Sequence, residues 1–282
     1  MAFVGIKEML IRAQEGGYAV GAFNVENMEM AMAVVRAAEQ MRAPVILQTT
    51  PSTLKYAPPE VFAAMVRALA EASRAPVAMH LDHGSSRDLA AQCMAAGYSA
   101  IMIDGSMLPF EDNITVTRKV VQDAHAKGIP VEAELGKVGG KEDDLEADAD
   151  AYTDPDEAAV FVERTGVDAL AVGIGTAHGF YVGTPILDKQ RLSLIRERVS
   201  VPLVLHGASG LSVEDVRDCI GRGICKVNFA TELRAAYTKA AREVLVADPK
   251  LYDPKKFGGP AMARTAQLVA EKIRVCGSEG KA

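Results

Sequence analysis

The chain has 282 residues, of which 49% are hydrophobic, and it carries a formal net charge of −6 with a pI near 5.5. That length suits one domain, and the acidic balance excludes a nucleic-acid surface, which needs clustered Lys and Arg facing one way. No stretch approaches the ~18 uninterrupted apolar residues of a membrane span, and the N-terminal MAFVGIKEMLIRAQEGG, which carries Glu8 and lacks an apolar run before a cleavage site, is not expected to be a signal peptide.

Short apolar runs, rich in β-branched residues, recur along the chain and read as strands. In order they are AVGAFNV from Ala19, PVILQTT from Pro44, PVAMHLDH from Pro76, SAIMIDGS from Ser99, PVEAELG from Pro130, ALAVGIG from Ala169, VPLVLHG from Val201 and ICKVNFAT from Ile224. Several open on Pro, which a strand tolerates at its first residue because the missing N–H costs little there. Between them, segments such as 26–42, 59–74, 111–126, 154–165, 188–198 and 212–222 have amphipathic helical spacing and Gly or Pro near their ends. Repeated strand–helix units point to an α/β fold, a (β/α)8 TIM barrel with an extra C-terminal helix, spanning residues 1–282 as one domain. A doubly wound open sheet would need a Gly-rich turn after the first strand, and FNVENMEM has no glycine.

Two segments fall outside the repeat. Residues 137–154 are acidic, contain Gly-Gly and are long for a connection, so they are expected to be a mobile functional loop on the face where barrel enzymes keep their sites. Residues 248–282 add a helix that is a candidate for subunit packing. The four cysteines, Cys93, Cys219, Cys225 and Cys276, form no C-x-x-C pair, which reads as reduced thiols in a cytoplasmic protein.

Of five histidines, His83, His178 and His206 stand at or just past the ends of the third, sixth and seventh strands and so converge on one mouth. Three imidazoles with an open position make a catalytic zinc arrangement. His80 lies within the third strand and is expected to be a packed neighbour, and His125, on a polar helix, is expected to be solvated. Asp82 precedes His83, Asp104 ends the fourth strand, and Glu132 and Glu134 lie two apart on the fifth, on one side of it. Such inward carboxylates either serve a metal or pair with Lys or Arg inside the barrel. Glycines beside hydroxyls in HGFYVG at 178–183, HGASG at 206–210 and NFAT at 228–231 suit a phosphate held by backbone N–H groups.

With these motifs the sequence resembles the class II ketose-bisphosphate aldolases over essentially its whole length. VAMHLDHG at 77–84 and VEAELGKVGGKED at 131–143 match the two family signatures, and HGF at 178–180, HGASG at 206–210 and KVNFATEL at 226–233 match the remaining segments. The resemblance implies His83, His178 and His206 as zinc ligands, Glu134 as an alternate or supporting carboxylate for a mobile zinc, Asp104 as an acidic neighbour in the metal site, and Asp82 as the group exchanging a proton with the C4 hydroxyl. Glu142 would move the C3 proton. Gly179, Gly207, Ala208, Ser209, Asn228, Phe229, Ala230 and Thr231 would hold the dihydroxyacetone-phosphate half, assisted by a monovalent cation (Na+ or K+).

The resemblance further implies reversible cleavage of a phosphorylated sugar, a ketose 1,6-bisphosphate, by a homodimer or homotetramer. Ala230 in NFATE resembles the tagatose-type enzymes, whereas fructose-type enzymes often read N-x-D-T-D, so tagatose 1,6-bisphosphate is the expected substrate and fructose 1,6-bisphosphate the alternative. Val182 stands near where several fructose enzymes place a lysine, and FGGP at 257–260 lacks an arginine for the far phosphate, a role Arg264 could take. A non-catalytic accessory subunit of an aldolase would not need to keep Asp82 and the three histidines, although an active chain could still require such a partner. A metal-dependent hydrolase barrel would show an H-x-H pair on its first strand, which AVGAFNV lacks.

Overall fold

The structure is a computed structural model that describes residues 3–142, 145–147, 152–181 and 183–282, with only the backbone described for 141, 142 and 145–147. In chain order the strands are β1 (Val20–Asn24), β2 (Val45–Thr49), β3 (Val77–Gly84), β4 (Ala100–Ile103), β5 (Val131–Leu135), β6 (Gly139–Glu142), β7 (Leu145–Ala147), β8 (Ala169–Val172), β9 (Ala177–His178), β10 (Leu203–Leu205) and β11 (Ile224–Phe229). The helices are α1 (Ile6–Gly16), α2 (Met28–Met41), α3 (Pro51–Tyr56), α4 (Pro59–Ala72), α5 (Arg87–Ala96), α6 (Phe110–His125), α7 (Pro155–Thr165), α8 (Lys189–Arg198), α9 (Val213–Gly221), α10 (Thr231–Ala247) and α11 (Pro254–Cys276).

Eight of these strands close into a parallel barrel in the order β1-β11-β10-β8-β5-β4-β3-β2. Each coincides with one of the apolar runs read from the sequence, and the outer helices start where cap chemistry predicts. Asn27, Ser86, Asp154, Asp188 and Ser212 each accept a backbone N–H in the first turn of the helix they precede, satisfying donors that the helix itself cannot. Outward-facing strand residues such as Phe23, Leu47, Met79 and Leu81 pack with the helices into one apolar layer.

The barrel interior is divided along its axis. Its lower half is filled by Val20, Ala22, Ile46, Ala78, Ala100, Ala169, Ala171 and Val204, sealed from below by Ile6, Met9, Leu10 and Ala13 of α1. Small residues dominate because eight inward side chains must share a narrow cylinder. The upper half is polar: Asn24, Gln48, His80, Asp82, Glu132, Glu134, His206 and Lys226 are all at most 2% exposed. The apolar plug thus puts the buried polar groups at the C-terminal mouth.

The segment expected as a loop contains, among its described residues, a hairpin. Strands β6 and β7 pair antiparallel, and β6 pairs in parallel with β9 through Gly139↔Ala177 and Gly140↔His178. Gly140 permits this approach, since a Cβ there would lie 2.3 Å from the His178 carbonyl oxygen. At the far end the Thr153 hydroxyl donates to the Leu135 carbonyl and accepts from Gly173 N–H at 2.8 Å, tying the segment's return to β5 and β8. The extra helix α11 packs on α2 and α10 of its own chain, burying Ala261, Thr265, Val269 and Ile273. The four cysteines are buried and form no disulfide, and no helix among the described residues is long and apolar enough to cross a membrane.

Candidate active site

Adjacent strand residues normally point to opposite faces, so Asp82 and His83 can serve one site only if the strand is locally broken. It is: His83 has φ +48°, and the β3–β4 register shifts between Leu81 and Gly84. A left-handed non-glycine residue and a bulge both cost free energy and both re-aim side chains. Gly84 is required beside them, because a Cβ there would sit 2.3 Å from the Met102 carbonyl oxygen.

With that turn made, His83, His178 and His206 come together. Their ring centroids are 4.7 to 6.0 Å apart, and one nitrogen of each lies within 4.8 Å of the others. His83 Nδ1 meets Asp104 Oδ2 at 2.7 Å, and His206 lies between Glu132 (Nε2 to Oε1, 3.0 Å) and Glu134 (Nδ1 to Oε2, 3.1 Å). His83, Asp104 and Glu134 form a second, overlapping group able to hold a cation. Three imidazoles with carboxylates behind them fit a divalent ion of zinc-like preference, the acids fixing each ring's orientation and balancing the charge.

Burial alone would lower all three histidines, and their neighbours separate them. Burial and the positive charges of His83 and His206 push His178 down to about 3. For His83 the carboxylates of Asp82 and Asp104 outweigh burial and hold it well above the ordinary range, and for His206 the hydrogen bonds to Glu132 and Glu134 overcome burial and lift it to about 9. Burial raises Asp82, yet His83, His206 and Lys226 together bring it below the usual carboxylate value. Asp82 is therefore ionised at neutral pH and can accept a proton. Two amides also hold it, with Asn24 Nδ2 donating to Oδ2 at 2.9 Å and Asn228 Nδ2 donating to Oδ1 at 3.1 Å.

The glycine-rich segments lie beside the histidines. A Cβ on Gly207 (φ +64°) would lie 2.6 Å from the Ala177 carbonyl oxygen, so this loop packs directly on the His178 strand, and Gly179 is also left-handed at +91°. Ala208, Ser209, Asn228, Phe229 and Ala230 are buried to 7% exposure or less. Thr231 opens α10, whose N-cap residue Ala230 supplies no side-chain cap, and the N-terminus of a helix favours negative charge.

Other expectations divide. His80 is a fully buried neighbour of Glu132 (3.4 Å), as expected. His125 is not merely solvated: its Nε2 meets Asp168 at 2.7 Å at the opposite end of the barrel. The two inward glutamates part company, with Glu132 taking Lys226 at 3.0 Å and Glu134 facing the histidines. Arg264 is exposed and reaches Gln267 on its own helix. The Glu142 side chain and Val182 lie outside the described residues.

Four residues went unread in the sequence. Asn24 and Gln48 are polar residues at the mouth ends of apolar strands, and Lys226 shares a face with Asn228 by the same two-residue rule that grouped the glutamates. Tyr181 has no such signal. Its hydroxyl accepts from Ala177 N–H (2.9 Å) and donates to the Gly207 carbonyl (2.7 Å), joining the His178 and Gly207 loops.

A closed parallel barrel with a histidine cluster able to hold a cation and a buried carboxylate at its C-terminal mouth is the architecture of a barrel enzyme. The family model for class II fructose-bisphosphate aldolase matches residues 4–281. The YdjI aldolase of Escherichia coli K12 is 38% identical, with 99% of each chain covered and a TM-score of 0.88. A Coccidioides immitis protein provisionally named a fructose-1,6-bisphosphate aldolase is 31% identical, covering 97% of this chain and 96% of its own, at 0.91. The fructose-bisphosphate aldolase of Campylobacter jejuni shares the fold at 22% identity and 0.85, covering 100% of this chain and 97% of its own. This chain belongs to the class II fructose-bisphosphate aldolase family and is an aldolase, a lyase with a TIM-barrel fold.

Proposed function

We propose that this aldolase reversibly cleaves a ketose 1,6-bisphosphate, tagatose 1,6-bisphosphate before fructose 1,6-bisphosphate, to dihydroxyacetone phosphate and glyceraldehyde 3-phosphate. The observation that carries the reading is the convergence of His83, His178 and His206 beside a buried, ionised Asp82. The three imidazoles would hold a zinc ion, with Glu134 and Asp104 close by, and its chemistry there is that of a Lewis acid accepting the charge that develops at the ketose carbonyl. Asp82 takes the C4 hydroxyl proton in cleavage and returns it in condensation. Asn24 and Asn228 aim that carboxylate, and Glu142 is assigned the C3 proton.

Gly179, the 207–209 backbone and the first turn of α10, with Asn228, Phe229, Ala230 and Thr231, cradle the dihydroxyacetone-phosphate half, and Na+ or K+ is assigned to the same phosphate. Ala230, nearly buried and apolar at the N-cap of α10, supports tagatose. Kinship with the Coccidioides immitis protein, which is named for fructose 1,6-bisphosphate, supports fructose. The reading places the enzyme in the cytoplasm as a homodimer or homotetramer, with an accessory subunit as an optional partner.

The test is a coupled cleavage assay of zinc-loaded protein on both ketose bisphosphates, repeated with EDTA and with His178→Ala. The expected result is a preference for tagatose that chelation and the substitution both abolish. A preference for fructose discards Ala230 as the discriminator, and activity surviving both treatments overturns the metal reading.

A further inference from the structure

Lys226 lies on the inner face of β11 with no exposed surface. A lysine so placed is costly unless its charge and all three hydrogens find partners. They do: Nζ lies 3.2 and 3.0 Å from the two Glu132 oxygens and 2.8 Å from Asn228 Oδ1. Each contact leads on to one half of the active site. Glu132 is bonded to His206 Nε2 at 3.0 Å; a carboxylate there takes the hydrogen of that nitrogen, which leaves Nδ1, 3.1 Å from Glu134 Oε2, as the nitrogen offered to a metal. Asn228 donates through Nδ2 to Asp82.

The amide matters because an ammonium has donors only. With Lys226 in place the Asn228 carbonyl must face it, and the amide hydrogens must face Asp82. The reversed amide would set N–H against the ammonium and a carbonyl against the carboxylate. Asn24 is fixed in the same way on the other side of Asp82, its carbonyl accepting from Gln48 Nε2 at 2.8 Å.

We propose that Lys226 is a positioning residue for both halves of the reaction: by holding Glu132 and Asn228 together, it sets the ring nitrogen that His206 offers a metal and the amide hydrogens offered to Asp82. The inference rests on the three-histidine metal reading above. A lysine that only balanced the charge of Glu132 would be dispensable once that charge was removed as well. A positioning lysine would not, because Asn228 would still lack the group that orients it.

The experiment compares wild type, Lys226→Met, the double variant K226M/E132Q, which strands no buried charge, and His206→Ala. Cobalt(II) affinity of each apo protein is read from the visible absorption of the bound ion. kcat and KM are then measured at saturating metal with the better of the two ketose bisphosphates. K226M should bind cobalt about 10–100-fold more weakly. In K226M/E132Q the thermal midpoint and KM should stay near wild type while kcat remains roughly 10-fold or more below it. Wild-type kcat in the double variant, or wild-type cobalt affinity and kcat in K226M, would overturn the proposal. If H206A loses cobalt while K226M behaves as wild type, the Lys226 inference alone falls. If H206A binds cobalt as wild type does, the three-histidine reading falls and takes the inference with it.

Discussion

Gly84→Ala tests whether the break in β3 is what delivers Asp82 and His83 to one site. The added methyl would lie 2.3 Å from the Met102 carbonyl oxygen and 2.8 Å from Leu81 Cδ2. Ordinary contact begins at 3.4 Å, so β3 and β4 must separate by roughly 1 Å at the bulge, and a misplacement of that size at reacting groups costs about 100-fold in rate, or ~2.7 kcal/mol of activation free energy. Overpacking of this kind costs only about 1–3 kcal/mol of stability, against a typical total of about 5–15, so the variant should remain folded. Circular dichroism melting and cleavage kinetics on the metal-saturated enzyme separate the two effects. A native-like melting curve with kcat reduced about 100-fold is expected. Wild-type kcat and an unchanged midpoint would refute the argument that this contact holds the bulge.

Two further outcomes follow from contacts around and away from the histidines. Tyr181→Phe removes the hydroxyl that joins Ala177 to Gly207. It should cost about 1–3 kcal/mol in urea unfolding, and because it loosens the Gly207 loop proposed to hold the phosphate it should raise KM more than it lowers kcat. Asp168, at the barrel's other end, accepts from Val131 N–H, His125 and Lys7. Burial raises its pKa, but those three partners outweigh burial and set it below the ordinary value. Its contribution to stability is therefore fully present above the unfolded-state value near ~4 and is lost as pH falls through the lower folded value. Asp168→Asn should cost about 1–3 kcal/mol at pH 7, and the gap from wild type should close at acid pH in denaturant titrations. A gap that widens on acidification would reverse the assigned sign.

Much of this molecule was legible in its sequence because the relevant rules are local. Apolar runs with β-branched residues mark the strands, capping residues and glycines mark the helix ends, and histidines just past strand ends face the mouth of any parallel barrel. The plugging role of α1 was not legible: its apolar spacing is visible, but only closure of the barrel creates the opening it fills. The expected loop after β5 contains a hairpin because its edge pairs with β9, nearly forty residues further on (Gly140↔His178).

Within the site, the sequence by itself determined which side chains reach the mouth, since strand periodicity sends Glu132 and Glu134, or Lys226 and Asn228, to a common face. Tertiary structure decided what each of them does there. Glu132 and Glu134 are alike in type and spacing, yet one is neutralised by Lys226, 94 positions away in the chain, and the other faces the histidines. Asp82 and His83 are neighbours that an unbroken strand would separate, and the bulge against β4 turns them to one side. In the first case barrel closure brings the deciding partner across from β11, and in the second the neighbouring β4 supplies it; low-dielectric burial lets one such contact outweigh local preference.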